Sequence, residues 1–414
     1  MSLASSSPPE GAAEPSPPSL THGQLFLRFL RFGFMAWGGP VAQIAMLRRE
    51  LVDEERWISS ARFNRLLAVM QALPGPEAHE MCVHLGIRAK GRVGGLLAGL
   101  GFMLPGFALM MGLSWLYFAM DITGSWLGAA FLGVQAAVVA LIVRAVHRIG
   151  EHILVDRWLW GVAVVCAAAA FAGVSFWITL PGAGLVYALR SGGRRGLAIL
   201  AAVLAAGVGL VLAFTTKAAA PISAALTGEA GHAPLVALFL SGLKGGLLTF
   251  GGAYTAIPFL RSDAVGRGWM SDGQFLDGLA LSGVLPAPLI IFSTFVGYVA
   301  GGPLGALVMT AGIFLPAFSF SLILYDRLEA IMEFEPLHRA LEGLAAGVVG
   351  LIAATAVQLA VSAAQRTPAI VDSAIIFAMS TTLLYVWKNR LNVVAIILAA
   401  GVAGCFMFSN LLEA

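Results

Sequence analysis

The sequence predicts an all-α polytopic membrane protein built from two homologous, inverted repeats, each of about six apolar helical segments with broken or re-entrant helices. Three observations carry this expectation. Hydrophobic residues make up 59% of the 414-residue chain and charged residues only 11%, with a mean hydropathy of +0.87. Soluble domains carry roughly 25% charged residues, so this chain lacks the polar faces a soluble fold needs. Runs such as 158–180, 197–214 and 392–408 are long enough to cross a ~30 Å hydrocarbon core. Finally, the second half of the chain repeats the first.

Residues 1–23 are rich in Ser, Pro, Ala and Gly and have no basic stretch leading into an apolar core. They read as a disordered tail and not as a signal peptide. Twelve apolar segments follow, at 24–47, 66–87, 93–119, 124–145, 157–180, 195–214, 233–260, 275–298, 303–325, 338–363, 368–387 and 391–411. The first six form one repeat, 24–214. A linker at 215–234 joins it to the second, 235–414. Trp37-Gly38-Gly39 matches Phe250-Gly251-Gly252, and Trp57 matches Trp269. Leu73-Pro74-Gly75-Pro76 matches Leu285-Pro286-Ala287-Pro288, and Leu104-Pro105 matches Leu315-Pro316. Apolar similarity by chance would not keep Trp, Gly and Pro in register.

Loop charge decides the relative orientation of the repeats. Basic residues cluster between Arg48 and Arg65 and again from Arg88 to Arg92, on either side of segment 66–87. A spanning segment would put the two clusters on opposite faces. A re-entrant hairpin broken at Pro74-Gly75-Pro76 puts both on one face. Non-helical backbone at membrane depth is tolerated where it lines a cavity or is buried in protein. An odd number of crossings then remains per copy, which inverts the second. The misfit is Arg190, Arg194 and Arg195, which this scheme leaves on the other face.

Breaks at matching places in inverted repeats point to a transporter's central site. Here they pair Gly38-Gly39-Pro40 with Gly251-Gly252, and Pro74-Gly75-Pro76 with Pro286 and Pro288 around Ala287. A broken helix frees backbone N–H groups at its new N-terminus, and these attract anions. Arg31 and Lys244 lie at equivalent distances before the two Gly-Gly pairs. Intramembrane cations are costly and functional by default, so the two are expected to bind an anion together. An oxyanion suits guanidinium and N–H donors. Gln43, Gln71, Thr249, Tyr254, Thr255 and Ser293 are further possible donors. Glu77, Glu80 and His84 share one helical face, while their counterparts Leu289, Phe292 and Val296 are apolar. That asymmetry suggests proton coupling; helix-end complementation is the plainer alternative.

"WGGP" at 37–40, Trp57, "QALPGPE" at 71–77 and their counterparts "TFGGA" at 249–253, Trp269 and "GVLPAPL" at 283–289 together resemble the chromate ion transporter (CHR) family, long-chain two-domain type. Trp37 stands where the family usually has Phe. The second copy reads Pro-Ala-Pro and lacks the proline after Gly-Gly. The resemblance implies a bacterial inner-membrane exporter of chromate, with sulfate as a structural mimic, driven by membrane potential or a proton gradient and working by alternating access.

A carrier of the same fold for another anion or metabolite is the alternative. An intramembrane enzyme is disfavoured because no HExxH or GxSxG motif is present. The expected partners are a small inorganic anion and the lipid bilayer, with a homodimer as the assembly to consider. No nucleic acid, cofactor or metal is expected. His79, Cys82 and His84 fall on different faces, and Cys82, Cys166 and Cys405 suggest neither a disulfide nor a CxxC site.

Overall fold

The computed structural model describes residues 15–120, 126–218, 233–325, 334–387, 389 and 391–412. Of the expected tail, 1–14 lie outside these residues, as do 219–232 of the expected linker. Helix α1 (His22–Phe34) starts at a capping box. Thr21 accepts from the Gln24 amide, and the Gln24 side chain accepts from the Thr21 amide. The helix stops at Met35, before Gly38. Helix α2 (Gly39–Arg48) and a π-helical turn (Arg49–Glu54) then lead the chain back. Arg28 of α1 pairs with Glu55 and stands 5.7 Å over the ring of Trp57, so α1 and α2 form a hairpin that returns to its own entry level.

Helix α3 (Ser60–Ala72) enters again and ends at the Leu73–Pro76 break, where α4 (Glu77–Ala119) begins. Lys90 and Gly91 leave helical geometry, with Gly91 at φ 64°, and fold α4 into two limbs. Gly86 of the first limb meets Gly94 and Ala98 of the second, and Val83 meets Gly95 and Gly99. Segment 66–87 is therefore α3, the break and the short limb of α4, while segment 93–119 is its long limb.

Helix α5 (Trp126–Ile153) returns to the face that carries Arg88 and Arg92, running eight residues past the expected end at 145. Segment 157–180 is not one helix. It divides into α6 (Arg157–Phe171), capped by Asp156, and α7 (Phe176–Ser191), capped by Ser175. Gly173 between them sits at φ 82°, a conformation that disfavours other residues. Tyr187 Oη donates to Asp156 at 2.7 Å, and Arg190 lies 4.8 Å over Trp158, so the end of α7 meets the start of α6. This hairpin corrects the misfit. It puts Arg190, Arg194 and Arg195 on the same basic face as Arg157. Helix α8 (Arg195–Ala218) then crosses toward the second repeat.

The second repeat has the same plan. It contains α9 (Leu235–Leu247), a 3-10 turn (Ala253–Ala256), α10 (Ile257–Ala264), α11 (Asp272–Gly283), a 3-10 turn (Leu289–Ile291) and α12 (Phe292–Ile323). They are followed by α13 (Glu335–Arg366), α14 (Ile370–Val386) and α15 (Asn392–Leu412). Gly302 folds α12 at φ 62° and ψ −159°, against 64° and −165° at Gly91. The long limbs of α4 and α12 run antiparallel, with Gly95 against Leu322 and Gly99 against Phe318. Their fold points are thus at opposite ends, and the repeats are inverted. The halves also interlock. Helix α5 packs on α14 and α15 of the second repeat, while α13 packs on α6 and α7 of the first. Glycines permit this close approach: Gly133 meets the backbone at Ala400 and Gly404, and Gly343 meets it at Ala183 and Gly184.

Candidate functional site

All four breaks converge. Gly75 of the first repeat donates its amide to the carbonyl of Thr249 in the second, at 2.8 Å. Gly75 also lies against Ala317 of α12, and its counterpart Ala287 lies against Gly106 of α4, so the two contacts are repeat-related. At the Gly-Gly breaks the backbone is left-handed, with φ 91° and 79° at Gly38 and Gly39, and 71° and 122° at Gly251 and Gly252. A side chain is disfavoured there, and its absence leaves the backbone open to a ligand.

Two adjoining cavities occupy the convergence. The larger, about 720 Å³, is lined by Gly38, Gly39, Arg144, Ser282, Ala287 and Leu289 among others. The smaller, about 420 Å³, is lined by Gln71, Glu77, His152, Gly251 and Gly252 among others. Pro40, Val41, Ala145, Arg148 and Tyr254 line both. The mouths are on the basic face. His338 and Glu342 at the start of α13 border one cavity, and Tyr385 and Asn389 at the end of α14 border the other.

The arginines that line the cavities come from α5. Arg144 and Arg148 are one turn apart and therefore on one face. The sequence reading ended that segment at 145 and missed them. The available signal was the Arg144-Arg148-His152 spacing, which continues the helical period past the apolar run. In α13, the counterpart of α5, no charged residue occurs between Glu342 and Arg366. Both arginines that line the cavities thus come from the first repeat, while the second repeat contributes Tyr254, Ser282, Tyr385 and Asn389, with His338 and Glu342 at the rim.

The structure treats the expected site residues unequally. Gly38, Gly39, Pro40, Gly251 and Gly252 line the cavities, and Pro286 and Pro288 flank Ala287, which does so too. Pro74, Gly75 and Pro76 are buried just before Glu77. Arg31 is exposed on α1 and Lys244 lies on α9, and neither lines either cavity. Lys244 instead pairs with Asp263 at 2.5 Å and rests 5.0 Å over the ring of Phe176. Asp263 lies just beyond the end expected for segment 233–260, which is why Lys244 looked unpaired. Glu80 is fully buried with neither oxygen hydrogen-bonded, and His84 stacks 4.5 Å from Tyr325. His79 points elsewhere, between Phe314 and Phe318. Among the other possible donors, Gln71 and Tyr254 reach the cavities. Gln43, Thr249 and Thr255 bond to the carbonyls of Ala36, Gly245 and Gly252, holding the breaks in shape.

The family model described as "Chromate transporter" matches residues 23–189 and 236–405, one match to each repeat. The chain belongs to the chromate transporter family. It is 67% identical over 405 residues to the "Chromate transport protein" of Pseudomonas aeruginosa, covering 97% of this chain and 96% of that one. It is 29% identical over 389 residues to the protein of the same description from Cupriavidus metallidurans, covering 90% of each. No solved structure matches. Membership of the chromate transporter family places the chain among transporters and not enzymes. The first matched stretch ends, and the second begins, outside α8, a helix with no counterpart among the described residues of the second repeat.

Proposed function

We propose that the chain exports a tetrahedral oxyanion, chromate with sulfate as its mimic, across the bacterial inner membrane by alternating access at the two cavities. One observation carries this: four broken elements, two from each repeat, meet around Arg144 and Arg148. Guanidinium forks and freed backbone N–H groups suit tetrahedral oxygens. The larger cavity is the better anion site. Its one lining carboxylate, Glu151, lies 3.5 Å from His147, whereas the smaller cavity is bordered by both Glu77 and Glu342.

In this proposal Gly38, Gly39, Pro40, Gly251 and Gly252 present backbone to the anion. Pro74, Gly75, Pro76, Pro286 and Pro288 hold the second pair of breaks open. Arg144 and Arg148 take the role the sequence suggested for Arg31 and Lys244. Glu77, Glu80 and His84 supply pH dependence. The relatives' descriptions as chromate transport proteins support the substrate.

The test is uptake of labelled chromate and sulfate into proteoliposomes, with and without a proton gradient. Saturable uptake of both, competing with each other, is expected. Folded protein that moves neither anion overturns the proposal in favour of another substrate.

A further inference from the structure

We infer that Asp277 is a gate residue: its carboxylate latches the cavities shut toward the face opposite their mouths, and transport requires that latch to release. This rests on the alternating-access reading. It adds where the closed gate is and which groups hold it.

Asp277 is 6% exposed, in the middle of α11. One carboxylate oxygen accepts from Tyr117 Oη at 2.8 Å, and the other from Gln135 Nε2, also at 2.8 Å. Tyr117 is in the last turn of α4 and Gln135 is in α5, so a side chain of the second repeat is held by two helices of the first. Arg366, the last residue of α13, comes against Gly273 one turn earlier on α11. Aromatic rings surround the latch: Tyr117 stands edge-on to Phe295 at 5.1 Å, and Phe118 stacks on Tyr298 at 5.8 Å. None of these residues lines either cavity.

Helix α11 links the two places. Its far end, Ser282 and Gly283, forms part of the larger cavity's wall, roughly 8 Å along the axis from Asp277 at 1.5 Å per residue. A rigid helix of that length cannot shift its cavity end without moving its latch end. Opening the opposite face separates α11 from α4 and α5, which breaks both hydrogen bonds together. Buried carboxylates demand partners, so the broken latch must be met by water, and opening and hydration become one event. The counterpart of Asp277 in α3 is Arg65, which is exposed. The latch therefore exists on one face only.

The test places a reporter cysteine, Ser282→Cys, in a background lacking Cys82, Cys166 and Cys405. Membrane-impermeant maleimide is applied from each face in intact and inverted vesicles. The parent should be labelled from the basic face alone. Adding Tyr117→Phe, Gln135→Leu or Asp277→Asn should raise labelling from the opposite face several-fold. Tyr117→Phe removes a single hydroxyl, and its thermal unfolding verifies that the fold survives. A structural role would lower stability without changing the labelled face, so latch variants labelled from the basic face alone overturn the gate. A parent labelled equally from both faces overturns the alternating-access reading instead.

Discussion

The amide of Gly75 donates to the carbonyl of Thr249 at 2.8 Å, tying the Pro-Gly-Pro break of one repeat to a residue two positions before the Gly-Gly break of the other. Neither break is therefore independent. Gly75 sits at φ 153°, and a Cβ there would meet both the Glu80 carboxyl and the methyl group of Ala317.

Gly75→Ala is expected to cost more than 1 kcal/mol, because both the conformation and the space disfavour a side chain. Transport should fall with it, since the substitution pushes the two repeats apart at their meeting point. The counterpart position is already Ala287, so Ala287→Gly should leave transport near the parent level. Thermal unfolding and proteoliposome uptake on both variants check this asymmetry. Equal loss at both positions would mean that the Thr249 bond has no special place.

The breaks were legible in the sequence because Gly and Pro carry backbone meaning wherever they stand. Repetition at Trp37-Gly38-Gly39 and Phe250-Gly251-Gly252 made that meaning hard to mistake. Tertiary pairing was not legible. Lys244 seemed alone because hydropathy looks along the chain, while Asp263 reaches it across a hairpin. The turn at Gly173 was hidden in a continuous apolar run, where one left-handed glycine and the Ser175 cap overrode composition. Arg148 falls beyond the predicted end at 145, and Arg144 next to it, for the opposite reason: polarity ends the predicted segment while the helix continues, facing a cavity.

Lys244 and Asp263 form a nearly buried ion pair, with side-chain exposures of 11% and 7%. Removing one partner of such a pair typically costs about 3–5 kcal/mol, and the low end applies to Lys244 because Arg267 still lies 3.4 Å from the other Asp263 oxygen. Lys244→Met should therefore destabilise the protein, and Lys244→Met with Asp263→Leu should regain most of the loss. Denaturation of the single and double variants in detergent measures this directly. A Lys244→Met protein as stable as the parent but unable to transport would return the lysine to the anion site.

Glu80 is fully buried with both oxygens unpartnered. Such a group costs about 1–3 kcal/mol relative to a satisfied or apolar one. Glu80→Met should accordingly raise thermal stability. If the acid serves transport, Glu80→Gln with His84→Ala should also flatten the dependence of uptake on pH. A stabilised variant with an unchanged pH profile would leave Glu80 as a polar residue at a helix end.

Arg148 provides the sharpest test of where the anion sits. It lines both cavities, with Arg144 one turn away, and it is exposed to the cavity space. Truncating an exposed side chain usually changes stability by less than about 0.5 kcal/mol, so losses of transport at this position are not losses of fold. Arg148→Lys keeps the charge but replaces a planar fork by a point donor. Hydrogen bonds to charged groups contribute about 1.5–3 kcal/mol, and losing one corresponds to roughly a 10–100-fold weaker apparent affinity. The lysine variant should show that shift in KM, and Arg148→Met should lose measurable uptake. Arg31→Met removes an exposed cation outside both cavities and should change uptake by no more than about twofold, the scale of surface electrostatics. If Arg31→Met and Arg148→Met reduce uptake equally, and salt reduces the parent in the same way, both arginines act by long-range attraction. The convergence of the four breaks would then need a different occupant.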